Sequence, residues 1–157
     1  IALDFGNRAS AASYGLEFES RYVASPKLTL LANYTYQDLN WDASVPFYDK
    51  DLMSPPRHKA MIAARYDATE DLHLSSHLYF VDATQAPNVY LPFVAKGINP
   101  YLRLDLRAEY DFRNDRASIA FGVRNLLDPE HQEGGTLFLD STEVARMFYA
   151  ECRISIP

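Results

Sequence analysis

Residues 101–112, YLRLDLRAEYDF, alternate without a break. Leu102, Leu104, Leu106, Ala108 and Tyr110 share one parity, and Arg103, Asp105, Arg107 and Glu109 share the other. Period two is the pattern of a β-strand, whose side chains leave opposite faces in turn; a helix would scatter the leucines around its circumference. One face of this strand is therefore apolar and the other ionic. Two architectures accept such a strand. A soluble sandwich or small barrel turns the apolar face inward. An outer-membrane barrel turns it toward lipid and lines a wet lumen with the charges.

The same alternation recurs along the chain. Leu16, Phe18, Ser20 and Tyr22 oppose Glu17, Glu19 and Arg21; Leu28, Leu30, Ala32, Tyr34 and Tyr36 oppose Thr29, Leu31, Asn33, Thr35 and Gln37. Further segments follow at 59–66, 72–81, 118–124 and 147–156, and Ile1-Ala2-Leu3-Asp4-Phe5 reads as the middle of a strand, so the chain is expected to begin inside a larger protein. The expectation is an all-β, antiparallel up-and-down meander of about eight strands of roughly ten residues, the length a tilted strand needs to cross a bilayer. No segment has a helical period.

Short connections (24–27, 67–71, 111–116) carry turn-forming Pro, Asp and Asn. Long ones fall at about 41–56, 83–100 and 126–143. Short and long alternate, so a meander places all long loops at one end, as outer-membrane barrels do. On the apolar parity, Tyr22, Tyr66 and Tyr110 lie beside short turns, and Tyr34, Tyr36 and Phe80 lie toward the long loops. Rings at both ends of an apolar band form an interfacial girdle, although tyrosine favours strands in any setting.

If the apolar face meets lipid, the lumen-facing residues are Glu17, Glu19, Arg65, His73, His77, Arg103, Asp105, Arg107, Glu109, Arg124, Glu151 and Arg153. The alternating signs of Arg103, Asp105, Arg107 and Glu109 predict pairing across strands. With net charge −6, nothing in the bulk points to nucleic acid. The one cysteine, Cys152, rules out an internal disulfide framework or a zinc cluster. His73 and His77 lie about 13 Å apart along a strand, too far to share a metal. His131, in Glu130-His131-Gln132-Glu133, reads as part of a solvated loop. No phosphate loop, catalytic triad or paired-carboxylate motif is present, so neither an enzyme nor a cofactor is expected. Ligand contacts are expected from aromatic and His residues in the long loops: Trp41, Phe47, Tyr48, Tyr90, Phe93 and His131.

Several motifs resemble those of TonB-dependent outer-membrane receptors. They are Tyr14-Gly15-Leu16-Glu17-Phe18-Glu19, Leu28-Thr29-Leu30 with Asn33-Tyr34-Thr35-Tyr36, Pro56-Arg57-His58, Tyr79-Phe80-Val81-Asp82, and above all Gly122-Val123-Arg124-Asn125-Leu126-Leu127-Asp128. Their order is similar to the C-terminal third of that family's barrel. The resemblance implies that residues 1–157 form a single barrel segment in the bacterial outer membrane, surrounded by lipid. It also implies a role in uptake of a scarce ligand such as a metal chelate, most often a ferric siderophore. TonB would act through a plug domain that this chain does not include. The final strand, Arg153-Ile154-Ser155-Ile156-Pro157, lacks the family's terminal aromatic residue. The other reading is a self-contained eight-stranded barrel, in the outer membrane or soluble, with a structural or ligand-binding role.

Overall fold

A computed structural model describes residues 9–43, 54–87, 95–112, 116–128, 130–133 and 143–155. The described residues contain only strands and connections. They are β1 (Ala9–Ser25), β2 (Leu28–Ala43), β3 (His58–Asp67), β4 (Leu72–Val81), β5 (Thr84–Pro87), β6 (Ala95–Ile98), β7 (Tyr101–Phe112), β8 (Ala117–Arg124), β9 (Glu130–Gln132), β10 (Glu143–Ala145) and β11 (Met147–Ile154). Seven of them form one sheet in the order β1-β2-β3-β4-β7-β8-β11, every neighbouring pair antiparallel. The meander predicted from the alternation is therefore the fold, with each alternating segment from Leu16 onward on a strand of this sheet. The expected opening strand at Ile1–Phe5 lies outside the described residues.

The short turns gather at one end of the sheet. There the Asp67 amide donates to the Lys27 carbonyl (2.8 Å), Asp111 to Asp71 (2.8 Å) and Ser155 to Arg116 (2.9 Å), stitching each turn to its neighbour. Thr69 Oγ1 accepts the Leu72 amide at 2.9 Å, which closes the turn before β4. The long connections gather at the other end. Two of them carry ribbons, β5 with β6 and β9 with β10, where the sequence shows only loop composition. The β1–β2 hairpin is also longer than its apolar pattern, with pairing that continues to Ala9 opposite Ala43. Residues 41–43, predicted as loop, are strand. Their sequence does not alternate, and they are paired with Ala9–Ala11 through the backbone.

Register fixes the faces, because directly paired residues project to the same side. One row runs Tyr22, Leu30, Ala64, Ser76, Leu106, Val123, Phe148, and the next includes Leu28, Tyr66, Leu74, Ala108, Phe121 and Ala150. This apolar face is uncovered: Phe18 is 58% exposed, Ile62 60%, Phe121 60% and Phe148 75%. Among the described residues the buried hydrophobic side chains are only Ala63, Ile98, Ala117 and Ala120. The large apolar side chains are thus not packed inside, as a soluble reading requires. Left in water, each would forfeit about 1.5–3 kcal/mol of burial, so this face demands an apolar cover.

Close approach to backbone fixes one glycine, and a movable ring covers a second. A Cβ on Gly15 would come within 2.3 Å of the Tyr36 carbonyl oxygen, so no side chain fits there. Gly122 lies directly beneath the Tyr149 ring, which a Cβ would meet at 2.3 Å.

Candidate functional site

The opposite face carries the charges. Rows across it run Glu19, Asn33, Met61, Tyr79, Arg103; then Arg21, Leu31, Ala63, His77, Asp105; then Val23, Thr29, Arg65, Ser75, Arg107, Gly122, Tyr149. Glu17, His73, Glu109, Arg124, Glu151 and Arg153 share this face through their own register partners. All the residues predicted to line a lumen therefore stand on one side of the sheet.

Their pairing differs from the prediction. Arg103 donates through Nε and NH2 to the two oxygens of Asp105 at 2.9 and 2.7 Å. Arg107 lies 2.8 Å from Glu109. Both pairs join residues two apart on β7, where cross-strand bridges were expected. The cause is what stands opposite: Arg103 faces Tyr79, Asp105 faces His77, and Arg107 faces Ser75 and Gly122. None of these is an opposite fixed charge, so same-face neighbours along the strand take the partners. Arg103 also lies over the Tyr79 ring, 5.5 Å from its centroid. The strands are bridged more weakly, by Arg107 to Glu151 at 3.4 Å, across the side-chain-free position of Gly122. Near the short turns His73 spans three strands, with Nδ1 2.6 Å from Asp67 and Nε2 3.1 Å from Asp111. His77 stacks on Tyr79 with centroids 6.2 Å apart.

At the long-loop end the charged face meets a knot built on Asn125. This residue is fully buried and has φ 57°, a left-handed conformation that asparagine tolerates better than most residues. Its amide N–H donates to Asp105 (3.0 Å) and its side-chain Nδ2 donates to the Val144 carbonyl (2.9 Å). The same Nδ2 is 3.2 Å from His131 Nδ1. His131, expected in a solvated loop, is 8% exposed. It stacks on Tyr101 at 4.0 Å and lies 2.9 Å from Glu133 and 3.2 Å from Asp128. The knot thus ties the β9–β10 ribbon to the start of β7. Its sequence signal is an asparagine directly after an alternating strand; its partner at Val144 could not be read from spacing. Beside it is a polar recess of about 330 Å³ between residues 97–101 and Asp128, Glu130, His131 and Glu143. A second recess of about 450 Å³ lies between Ser54–Arg57 and the β5–β6 ribbon.

The β1–β2 extension rises beyond the apolar band. There the Tyr14 hydroxyl donates to Asp38 (2.7 Å), and Arg57 lies 3.2 Å from the same carboxylate. The hydroxyl first, and the guanidinium next, hold the Asp38 carboxyl below its ordinary range. Of the predicted loop contacts, Trp41 lies on β2 opposite Ala11. Phe47, Tyr48, Tyr90 and Phe93 lie outside the described residues.

A meander with an open apolar face, an ionic face and its long loops at one end is a wall segment of a β-barrel of the membrane-spanning class. Residues 3–126 match the family model "TonB dependent receptor-like, beta-barrel". The chain belongs to that family. Solved structures agree in fold. The ferric-catecholate import receptor Fiu of E. coli, open form, superposes with TM-score 0.73 at 14% identity, over 92% of this chain and 21% of the receptor. The siderophore receptor PiuA of Acinetobacter baumannii gives TM-score 0.72 at 16% identity, over 92% and 22%. The ferripyoverdine receptor of the Pseudomonas aeruginosa outer membrane, bound to ferripyoverdine, gives 0.71 at 18%, over 92% and 19%. This chain thus spans about a fifth of those receptors' length. No curated protein sequence matches it.

Proposed function

We propose that residues 1–157 are a C-terminal wall segment of a TonB-dependent receptor that imports a scarce ligand, a ferric siderophore, across the bacterial outer membrane. A plug domain elsewhere in the protein would fill the lumen and respond to TonB, which draws on the inner-membrane proton gradient. The observation that carries this reading is the match to the family's barrel over residues 3–126. The siderophore receptors named above, similar in fold, supply the ligand class. In this reading Glu17, Glu19, Arg65, His73, His77, Arg103, Asp105, Arg107, Glu109, Arg124, Glu151 and Arg153 line the lumen. Trp41, Phe47, Tyr48, Tyr90, Phe93 and His131 belong to the extracellular mouth that meets the ligand, and of these His131 lines the polar recess of about 330 Å³.

The test is uptake of radio-iron by iron-starved cells with the gene intact, deleted or restored, using a panel of catecholate, hydroxamate and mixed chelates. Loss of uptake of one chelate class on deletion, and equal loss in a TonB-deficient strain, is the expected outcome. Unchanged uptake of every chelate would end the siderophore assignment.

A further inference from the structure

Two neighbours make opposite demands on one nitrogen of His131. The Val144 carbonyl can only accept, so it fixes which way the Asn125 amide points: one Nδ2 hydrogen goes to Val144 at 2.9 Å and the other faces His131 Nδ1 at 3.2 Å. That second bond needs a lone pair on Nδ1. Neutral His131 therefore carries its proton on Nε2, where Glu133 accepts it at 2.9 Å. An oxygen of Asp128 also lies 3.2 Å from Nδ1, and a carboxylate offers only lone pairs. A bare Nδ1 suits Asn125 and repels Asp128. A proton on Nδ1 suits Asp128 and excludes Asn125. Both partners cannot be served at once.

We propose that His131 is a pH-sensitive latch on the β9–β10 ribbon: neutral, it accepts from Asn125 and ties the ribbon to the end of β8; protonated, it turns to Asp128 and lets go of Asn125. His131 and Val144 are register partners, one on each strand of the ribbon, so the two Nδ2 bonds of Asn125 clip both strands. Among the described residues Asn125 Oδ1 has no partner, so losing one Nδ2 bond removes half of the side chain's hold on the ribbon. The groups around the imidazole favour a charge on it. Asp128 and Glu133 touch it, Glu130 and Glu143 line the recess beside it, and Tyr101 from β7 stacks on it while donating to Glu133 at 3.3 Å. The nearby cations are engaged elsewhere, Arg103 with Asp105 and Arg146 with the Asn125 carbonyl. Because Glu130, His131 and Glu143 form one side of the recess of about 330 Å³, release of the ribbon widens it. The latch is a property of the mouth and does not depend on which ligand, if any, passes through.

The test is hydrogen exchange of the full-length protein in nanodiscs, read by mass spectrometry over residues 130–132 and 143–145 and corrected for the intrinsic effect of pH, with β4 as the internal reference. Between about pH 8 and about pH 5, where histidine titrates, exchange of the ribbon should rise about two- to tenfold relative to β4, the protection that one hydrogen bond supplies. His131→Gln keeps an acceptor for Asn125 but does not titrate, and should abolish the step. Asp128→Asn leaves an oxygen for the Glu130 amide but removes the carboxylate that gains from protonation, and should move the step to lower pH. No step in the parent, a step that survives His131→Gln, or one that Asp128→Asn leaves in place would overturn the latch. Nitrogen-15 NMR of the histidine-labelled parent decides the matter without any variant: neutral His131 protonated on Nε2 is expected, and a neutral form protonated on Nδ1 would overturn it.

Discussion

Asn125 donates its side-chain amide to the carbonyl of Val144, 19 residues further along the chain, at 2.9 Å. One buried side chain at the end of β8 thereby fixes where the returning ribbon leaves the mouth and re-enters the wall as β11. Its own left-handed backbone makes the turn that allows this. Asn125→Ala removes the donor and strains the backbone. We expect a loss of about 2–3 kcal/mol, and protease cleavage within residues 126–146 under conditions where the parent is intact. Asn125→Gly, which keeps the φ angle, should be the milder lesion by urea unfolding while cutting equally fast.

Asp105 accepts both from Arg103 and from the Asn125 amide. Asp105→Ala orphans a guanidinium and a buried N–H together. The expected cost is about 2–4 kcal/mol, more than for Arg103→Ala, because the latter leaves Asp105 its bond to Asn125. Urea denaturation of the full-length protein in detergent measures both, and an equal cost would show that the two bonds to Asp105 are not independent.

Tyr149 lies across Gly122, so the two positions are coupled. Gly122→Val should displace the ring, obstruct the Arg107–Glu151 contact and reduce the heat-modifiable, folded fraction on gels. Gly122→Val combined with Tyr149→Ala should recover much of that loss, giving an interaction energy of about 1 kcal/mol or more in a double-mutant cycle.

Ile62 and Thr35 test the two faces. A lysine on the apolar face at Ile62 should cost about 2–4 kcal/mol and lower assembly into the outer membrane. A lysine at Thr35, on the charged face between Glu17 and Lys59, should change stability by less than about 0.5 kcal/mol. Equal effects would count against the lipid-facing assignment.

How much could be read beforehand depends on what physically fixes each feature. Strands such as β4 and β7 were legible because two different environments act on alternate residues, and that leaves a period-two record. The alternation of short and long connections gave the meander and the end to which the loops go. The upper β1–β2 hairpin left no such record, because Ala9 to Ser13 and Asn40 to Ala43 pair through their backbones without an alternation of apolar and polar residues. The ribbons β5–β6 and β9–β10 are too short to show a period. The ion pairs are not legible for another reason: a sign pattern along β7 does not say what stands on β4 and β8, and Tyr79, His77, Ser75 and Gly122 leave the arginines to their own strand. His131 looked like a loop residue because its partners, Tyr101 and Asn125, are brought to it only by the completed fold.

The in-strand pairing of Arg103 with Asp105 and of Arg107 with Glu109 bears on how such a wall is assembled. A cross-strand bridge leaves two bare charges until the neighbour arrives. A pair two residues apart closes as soon as its strand is extended. β7 can therefore dock on β4 already electrically neutral at its centre, before β8 and β11 are in place. A sheet built from such strands can grow one hairpin at a time, with neither Arg103 nor Arg107 unmatched at its growing edge.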